Sequence, residues 1–204
     1  MNVAGALRRP MPALISAVHV PAVSWSATRS ASVSTRVAVP AAKWSASNLK
    51  LASGLCPVAE LLRAGVNVAL GTAGAASNNR LDLWAELERA ALLAKQVAGN
   101  AAAVTAAQAL RMATINGARA LGLGNEIGSL VAGKAADVIC VDLSGVEHHP
   151  LLDPVSQLVY AASRHDVTDV WIAGEQLVAD RTLLRLETAD VCAAAERWAR
   201  QLRA

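Results

Sequence analysis

The apolar segment Val66-Asn67-Val68-Ala69-Leu70 runs straight into Gly71-Thr72-Ala73-Gly74 and then into the polar run Ser77-Asn78-Asn79. Alternation in VNVAL predicts a strand, the two glycines predict a tight turn, and Asn79 followed by Asp82 predicts a helix start. Strand, turn and helix in that order form the repeating unit of a parallel α/β protein. In such a unit the residues just after the strand stand at the mouth where ligands bind. The third residue of this turn is Ala73, whose methyl group offers nothing to bind with where chemistry calls for a carboxylate.

The surrounding signals extend the pattern. VAELLR, 58–63, reads as a short helix closed by Gly65 in a left-handed cap. Beyond the turn, Leu81, Trp84, Leu87, Ala91 and Leu92 recur at helical spacing, and Gly99 marks the end of that helix. Thr105 to Gln108, TAAQ, is a capping box opening a further helix, and 116–122, NGARALG, completes another piece with Gly122 as its stop. After Gly128 the period changes from 3.6 to 2. GSLVAGKAADVICVD predicts a turn at Ala132-Gly133 and a strand at 138–141, and VTDVWIAGEQLVADRTL reads as a hairpin about Ala173-Gly174-Glu175. The C-terminal stretch 188–204 predicts a helix with Val191, Ala195, Trp198 and Leu202 on one apolar face.

Taken in order, SNLKLASG, VAELLRAGVNVALGTAGAASNN and GSLVAGKAADVICVD resemble the C-terminal half of the amidohydrolase superfamily, in its chlorohydrolase and aminohydrolase branch. That branch includes the methylthioadenosine and S-adenosylhomocysteine deaminases and the hydroxyatrazine and N-ethylammeline hydrolases. The resemblance covers roughly 46–200. It implies an α/β fold: the C-terminal part of a (β/α)8, TIM-like metal-dependent hydrolase barrel at 46–127, part of a small flanking β-sandwich at 128–187, and a C-terminal helix at 188–204. The function implied is hydrolysis of non-peptide C–N bonds, by deamination or dechlorination of a small purine-like or triazine-like heterocycle.

In the resembled family a divalent metal, zinc or iron, is held by an HxH pair, two further histidines and the aspartate of a GTDGAASNN turn, and it supplies hydroxide near neutral pH. Here Ala73 occupies the aspartate's place and no HxH occurs in the sequence. The expectation is therefore a truncated, catalytically incomplete form with no metal, no cofactor and no catalytic residue of its own. The alternative is a non-catalytic partner of a full-length homologue, or a homo-oligomer. Ser77 is the surviving site residue: the serine at this place contacts substrate in the resembled deaminases, while its bland role is to help start the next helix. Asn48, family-like as well, sits in a turn-forming context.

Other candidates read as structural. His148 and His149 precede Pro150 in a loop and predict solvent-exposed side chains. His165 has no nucleophile or base partner in sequence. Asp137 can bond turn amides, with Gly128, Gly133 and Asp142 structural beside it. Lys134 follows a glycine but is followed by Ala135, which excludes a phosphate loop. Cys56, Cys140 and Cys192 lie far apart in apolar surroundings, as buried free thiols in a reducing cytoplasm do. No uninterrupted apolar run is long enough to cross a membrane.

The chain carries a formal charge of +3, yet 1–59 contains no Asp or Glu, so the basic excess is N-terminal rather than spread over a binding face. That argues against a nucleic-acid partner. Residues 1–45 are rich in Ala, Ser, Val and Arg, are interrupted by Pro10, Pro12, Pro21 and Pro40, and predict a disordered segment. Three origins compete for it: a transit peptide, a basic arm, and a frame disturbance or misplaced start upstream of Ser47. The abrupt onset of family-like sequence favours the last.

Overall fold

The computed structural model describes residues 46–203 and, before them, the strands at 13–16 and 38–40. Strand β1 is Ala13–Ser16 and β2 is Ala38–Pro40, followed by α1 (Ala46–Lys50), α2 (Val58–Arg63) and β3 (Asn67–Ala69). Three helices come next: α3 (Leu83–Ala98), α4 (Ala106–Ala113) and α5 (Ile115–Ala120). The C-terminal part is β4 (Val138–Val141), α6 (Pro154–Tyr160), β5 (Val167–Ile172), β6 (Glu175–Ala179), β7 (Thr182–Leu183) and α7 (Thr188–Gln201). The strands form a parallel pair, β2 with β3, and a five-stranded antiparallel sheet in the order β1-β4-β5-β6-β7. Of segment 1–45, expected to lack packed structure, only 13–16 and 38–40 are described, each supplying one strand to a sheet; the rest of that expectation lies outside the described residues.

Local chemistry sets the element boundaries. The α2 helix gives way to Gly65 at φ +75°, in the left-handed region that suits glycine. Asp82, not Asn79, caps α3: its carboxylate accepts from the amides of Trp84 and Ala85, and Gly99 closes the helix with φ +58°. Thr105 and Gln108 form the reciprocal capping box of α4. Ala173 and Gly174 both have positive φ and join β5 to β6, the geometry of a two-residue hairpin that follows the strand twist. Asp137 accepts the Ala173 amide at 2.7 Å, so this carboxylate braces the hairpin turn. The Lys134 ammonium donates to the carbonyls of Gly124 and Ile127, where it ties a loop rather than a phosphate.

The main core gathers Val58 and Ala59 of α2, Val68 and Leu70 at β3, Leu87, Ala90, Ala91 and Ala94 of α3, Ala109 and Met112 of α4, and Val159 of α6. Three alanines on one stripe of α3 let its neighbours approach closely. That stripe differs from the predicted one: Leu87 and Ala91 are buried, whereas Leu81 and Leu92 are about half exposed. Leu81 precedes the cap, and Leu92 lies about 100° round the helix from Ala91. The free edge of β3 is closed by α4 and α5 instead of a strand. The Leu70 amide donates to the Met112 carbonyl, and Asn67 and Asn116 exchange side-chain bonds with each other's segments, Asn67 Nδ2 to the Asn116 carbonyl and Asn116 Nδ2 to the Val68 carbonyl, both 3.0 Å.

Helix α7 forms where the period predicts it, but its apolar stripe is outside, with Val191, Trp198 and Leu202 exposed. No described helix is long and apolar enough to cross a membrane. Of the three free cysteines, Cys56 and Cys140 are buried, and burial, aided by Asp169, pushes the Cys140 thiol up. Cys192, expected to be buried, is exposed, because α7 has no buried side chain. A thiol-reactive chromogenic reagent should therefore label one cysteine per chain quickly, and Cys192→Ser should abolish that phase. The other two should react only on unfolding.

Candidate functional site

The turn after β3 is held from three sides. Glu86, on the first turns of α3, is 2 % exposed, yet it carries a carboxylate. Both of its oxygens accept the Ala46 amide at the start of α1, at 3.0 and 2.9 Å. Its Oε1 also accepts from Asn78 Nδ2 at 3.0 Å and from Arg89 at 3.1 Å. Asn78, itself buried, uses the same amide to reach the Thr72 carbonyl at 2.6 Å. One buried charge thus ties α1, the turn and α3 together, compensated by Arg89 and by neutral donors as a buried carboxylate requires. In the sequence Glu86 looks like one more polar residue on a helix. Its only sign is its place beside Leu87 on the stripe that faces inward.

On this frame Ala73 is exposed and adopts φ +57°, a left-handed conformation uncommon for a residue with a Cβ. Asp and Asn visit that region more readily than Ala, because their short polar side chains bond locally. The backbone at position 73 therefore suits a carboxylate residue even though none is there. Ser77 stands four residues on. Its hydroxyl accepts from the buried Ser47 at 2.6 Å and points its own proton at the Gly74 carbonyl, 3.4 Å away. With those bonds made, Ser77 keeps one acceptor lone pair for anything outside the turn. Lys50 donates to Asn79 Oδ1 at 2.9 Å, a second link from α1 to the turn. The SNLKLASG and GAASNN motifs, far apart in sequence, are brought side by side.

The histidines divide. His149 is exposed, as expected, and its ring bonds the Gly145 carbonyl; His165 is exposed in a short 3-10 turn. His148 is not a surface residue: it is 1 % exposed, turned inward by the 3-10 turn Val146–His148 toward α6 and Asp166. Adjacency to His149 sends the two rings opposite ways, and one of them is buried. Among the described residues the only group of His, Cys, Asp and Glu side chains close enough to share an ion is Glu147, His148 and Asp166, on a different part of the chain from the β3 turn. Elsewhere, Asp142 lies below the usual carboxylate range because Ser144 bonds it through its side chain and amide, with Arg181 adding to the effect.

Residues 13–177 match the amidohydrolase family, so the matched span begins inside the N-terminal 45 residues. The 5-methylthioadenosine/S-adenosylhomocysteine deaminase of Teredinibacter turnerae is 56% identical over 156 residues, 76% of this chain and 35% of that protein. A 5'-deoxyadenosine deaminase of Methanosarcina acetivorans is 46% identical over 156 residues, 76% of this chain and 36% of that protein. Among solved structures, an adenosine deaminase from Xanthomonas campestris with bound zinc aligns with a TM-score of 0.76 at 55% identity, covering 77% of this chain and 36% of that one. The zinc complex of atrazine chlorohydrolase from Arthrobacter aurescens aligns at 0.69 and 32% identity, covering 74% and 34%. The chain spans about a third of the length of the curated relatives it matches.

Three substitutions test the frame. Glu86→Ala leaves the Ala46 amide, Asn78 and Arg89 without their acceptor and should lower stability by about 3 kcal/mol in urea denaturation. Ala73→Gly, which relieves the left-handed backbone, should instead stabilise by up to about 1 kcal/mol, and Ala73→Asp should be tolerated.

Proposed function

Because this chain belongs to the amidohydrolase family, we propose that it derives from a metal-dependent hydrolase of non-peptide C–N bonds that acts on a purine-like or triazine-like heterocycle. On this reading, residues 46–127 are the last units of a (β/α)8 barrel, and the antiparallel strands at 128–187 are part of its flanking sandwich. The observation that carries the reading is the β3 turn. Its strand, its glycines, its Ser77-Asn78-Asn79 run and its buried Glu86 brace are all in place around position 73. High identity to deaminases over three quarters of the chain supports deamination as the ancestral reaction.

The residues present do not fit the family's metal. A methyl group stands at 73, no HxH pair occurs in the sequence, and the described cluster of ligand-type side chains contains no residue of the turn. No hydrolytic step is therefore assigned to this polypeptide. Ser77 is assigned the substrate contact of the ancestor and, in this chain, the role of a turn brace. Three free cysteines fit a reducing, cytoplasmic setting.

A second reading, association with a full-length homologue or with another copy, is favoured by α7, whose Val191, Trp198 and Leu202 face outward. Sedimentation should then report a species larger than the 21.1 kDa chain.

The deciding assay follows ammonia release from 5'-methylthioadenosine by the purified chain supplied with zinc or ferrous iron. The expected result is no turnover above buffer. Ala73→Asp should behave the same way, since the histidine ligands would still be missing. Metal-dependent turnover in either protein would overturn the catalytically incomplete assignment.

A further inference from the structure

His148 presents a problem that the family's chemistry does not answer. Its ring is 1 % exposed, and its Nε2 is buried with no hydrogen-bond partner among the described residues. A buried polar atom left in that state is costly, and native structures answer such atoms with a partner, a water or an ion. Nε2 points toward Asp166, whose Oδ1 is 3.7 Å away, beyond hydrogen-bond length. The Glu147 carboxylate completes the group, with one ligand atom of each residue within 4.8 Å of the others.

We infer that Glu147, His148 and Asp166 form a binding site for a divalent transition metal of the zinc class, separate from the barrel-mouth position at Ala73. Three arguments converge. Two donors 3.7 Å apart are too far for a hydrogen bond but are bridged by an ion about 2.1 Å from each, at an angle near ~120°, within the range of zinc sites. One imidazole and two carboxylates match a borderline metal better than magnesium or calcium, which take oxygen alone. Two carboxylates beside a neutral imidazole balance a 2+ charge.

The surroundings hold the donors in place. Asp166 Oδ2 accepts the Ser163 amide at 2.7 Å and the Ser163 hydroxyl at 3.1 Å, which turns Oδ1 toward His148. Gln157 lies 3.1 Å from His148 Nδ1. The Gln157 atom facing the ring is Nε2, which also donates to the Glu147 carbonyl at 3.4 Å; metal binding through His148 Nε2 calls for the opposite carboxamide orientation, with Oε1 accepting the Nδ1 proton in exchange for that long bond. Glu147 is exposed, folded over Gly145, where the missing Cβ makes room for its carboxylate. Three protein donors leave a further coordination position to solvent.

The test uses the full chain, stripped with a chelator and titrated with zinc against a chromophoric competitor, with cobalt absorption as a second readout. One zinc per chain is expected, with Glu147→Gln and Asp166→Asn each weakening binding by at least about 10-fold. His149→Gln, a change in the exposed neighbour, should leave affinity unchanged. Glu147 is on the surface, so its variant keeps the fold even if replacement of the buried His148 does not. Absence of stoichiometric zinc binding by the wild-type chain overturns the assignment. So does wild-type affinity in both carboxylate variants, or an equal loss in His149→Gln.

Discussion

A single carboxylate, buried on the inward face of α3, holds the turn after β3 in place. Glu86 has few ways to exist at 2 % exposure. It needs a cation and enough donors to replace water, and it finds Arg89 one turn along its own helix, the Asn78 amide and the first amide of α1. Each of those partners belongs to a segment that would otherwise be loosely tethered. The position of Ala73 follows from this set of bonds and not from anything Ala73 does. The shape of this turn is therefore set independently of the side chain at position 73, because the bonds that hold it are made by other residues.

Features legible in the sequence were those decided within a few residues. The capping box at Thr105, the glycine stop at Gly99, the left-handed Gly65 and the hairpin at Ala173-Gly174 all stand where local rules put them. Hydrophobic period alone was less sufficient. It placed Leu92 inside α3, where the buried stripe is carried by Leu87, Ala90, Ala91 and Ala94, and it gave α7 an apolar face that no described element covers.

The side chains that were not legible are the ones whose environment comes from distant segments. Glu86 is buried because α1, forty residues earlier, closes over it. His148 is buried because α6 and Asp166 come to meet it, although an adjacent pair of histidines before a proline reads as surface. Strands β1 and β2 are short and lie in a proline-interrupted segment, so period 2 has little length in which to declare itself. The motifs that named the family were read from position 46 onward for the same reason, while the family match reaches back to residue 13.

The order β1-β4-β5-β6-β7 also decides what the antiparallel sheet offers to other molecules. Its outer strands are four and two residues long. An unpaired edge of that size has few backbone groups to lend to an incoming chain, which is how sheets avoid adding foreign strands. The longest strand, β5, is covered on both sides, by β4 and β6. Among the described residues, a protein meeting this sheet therefore finds side chains more than open backbone.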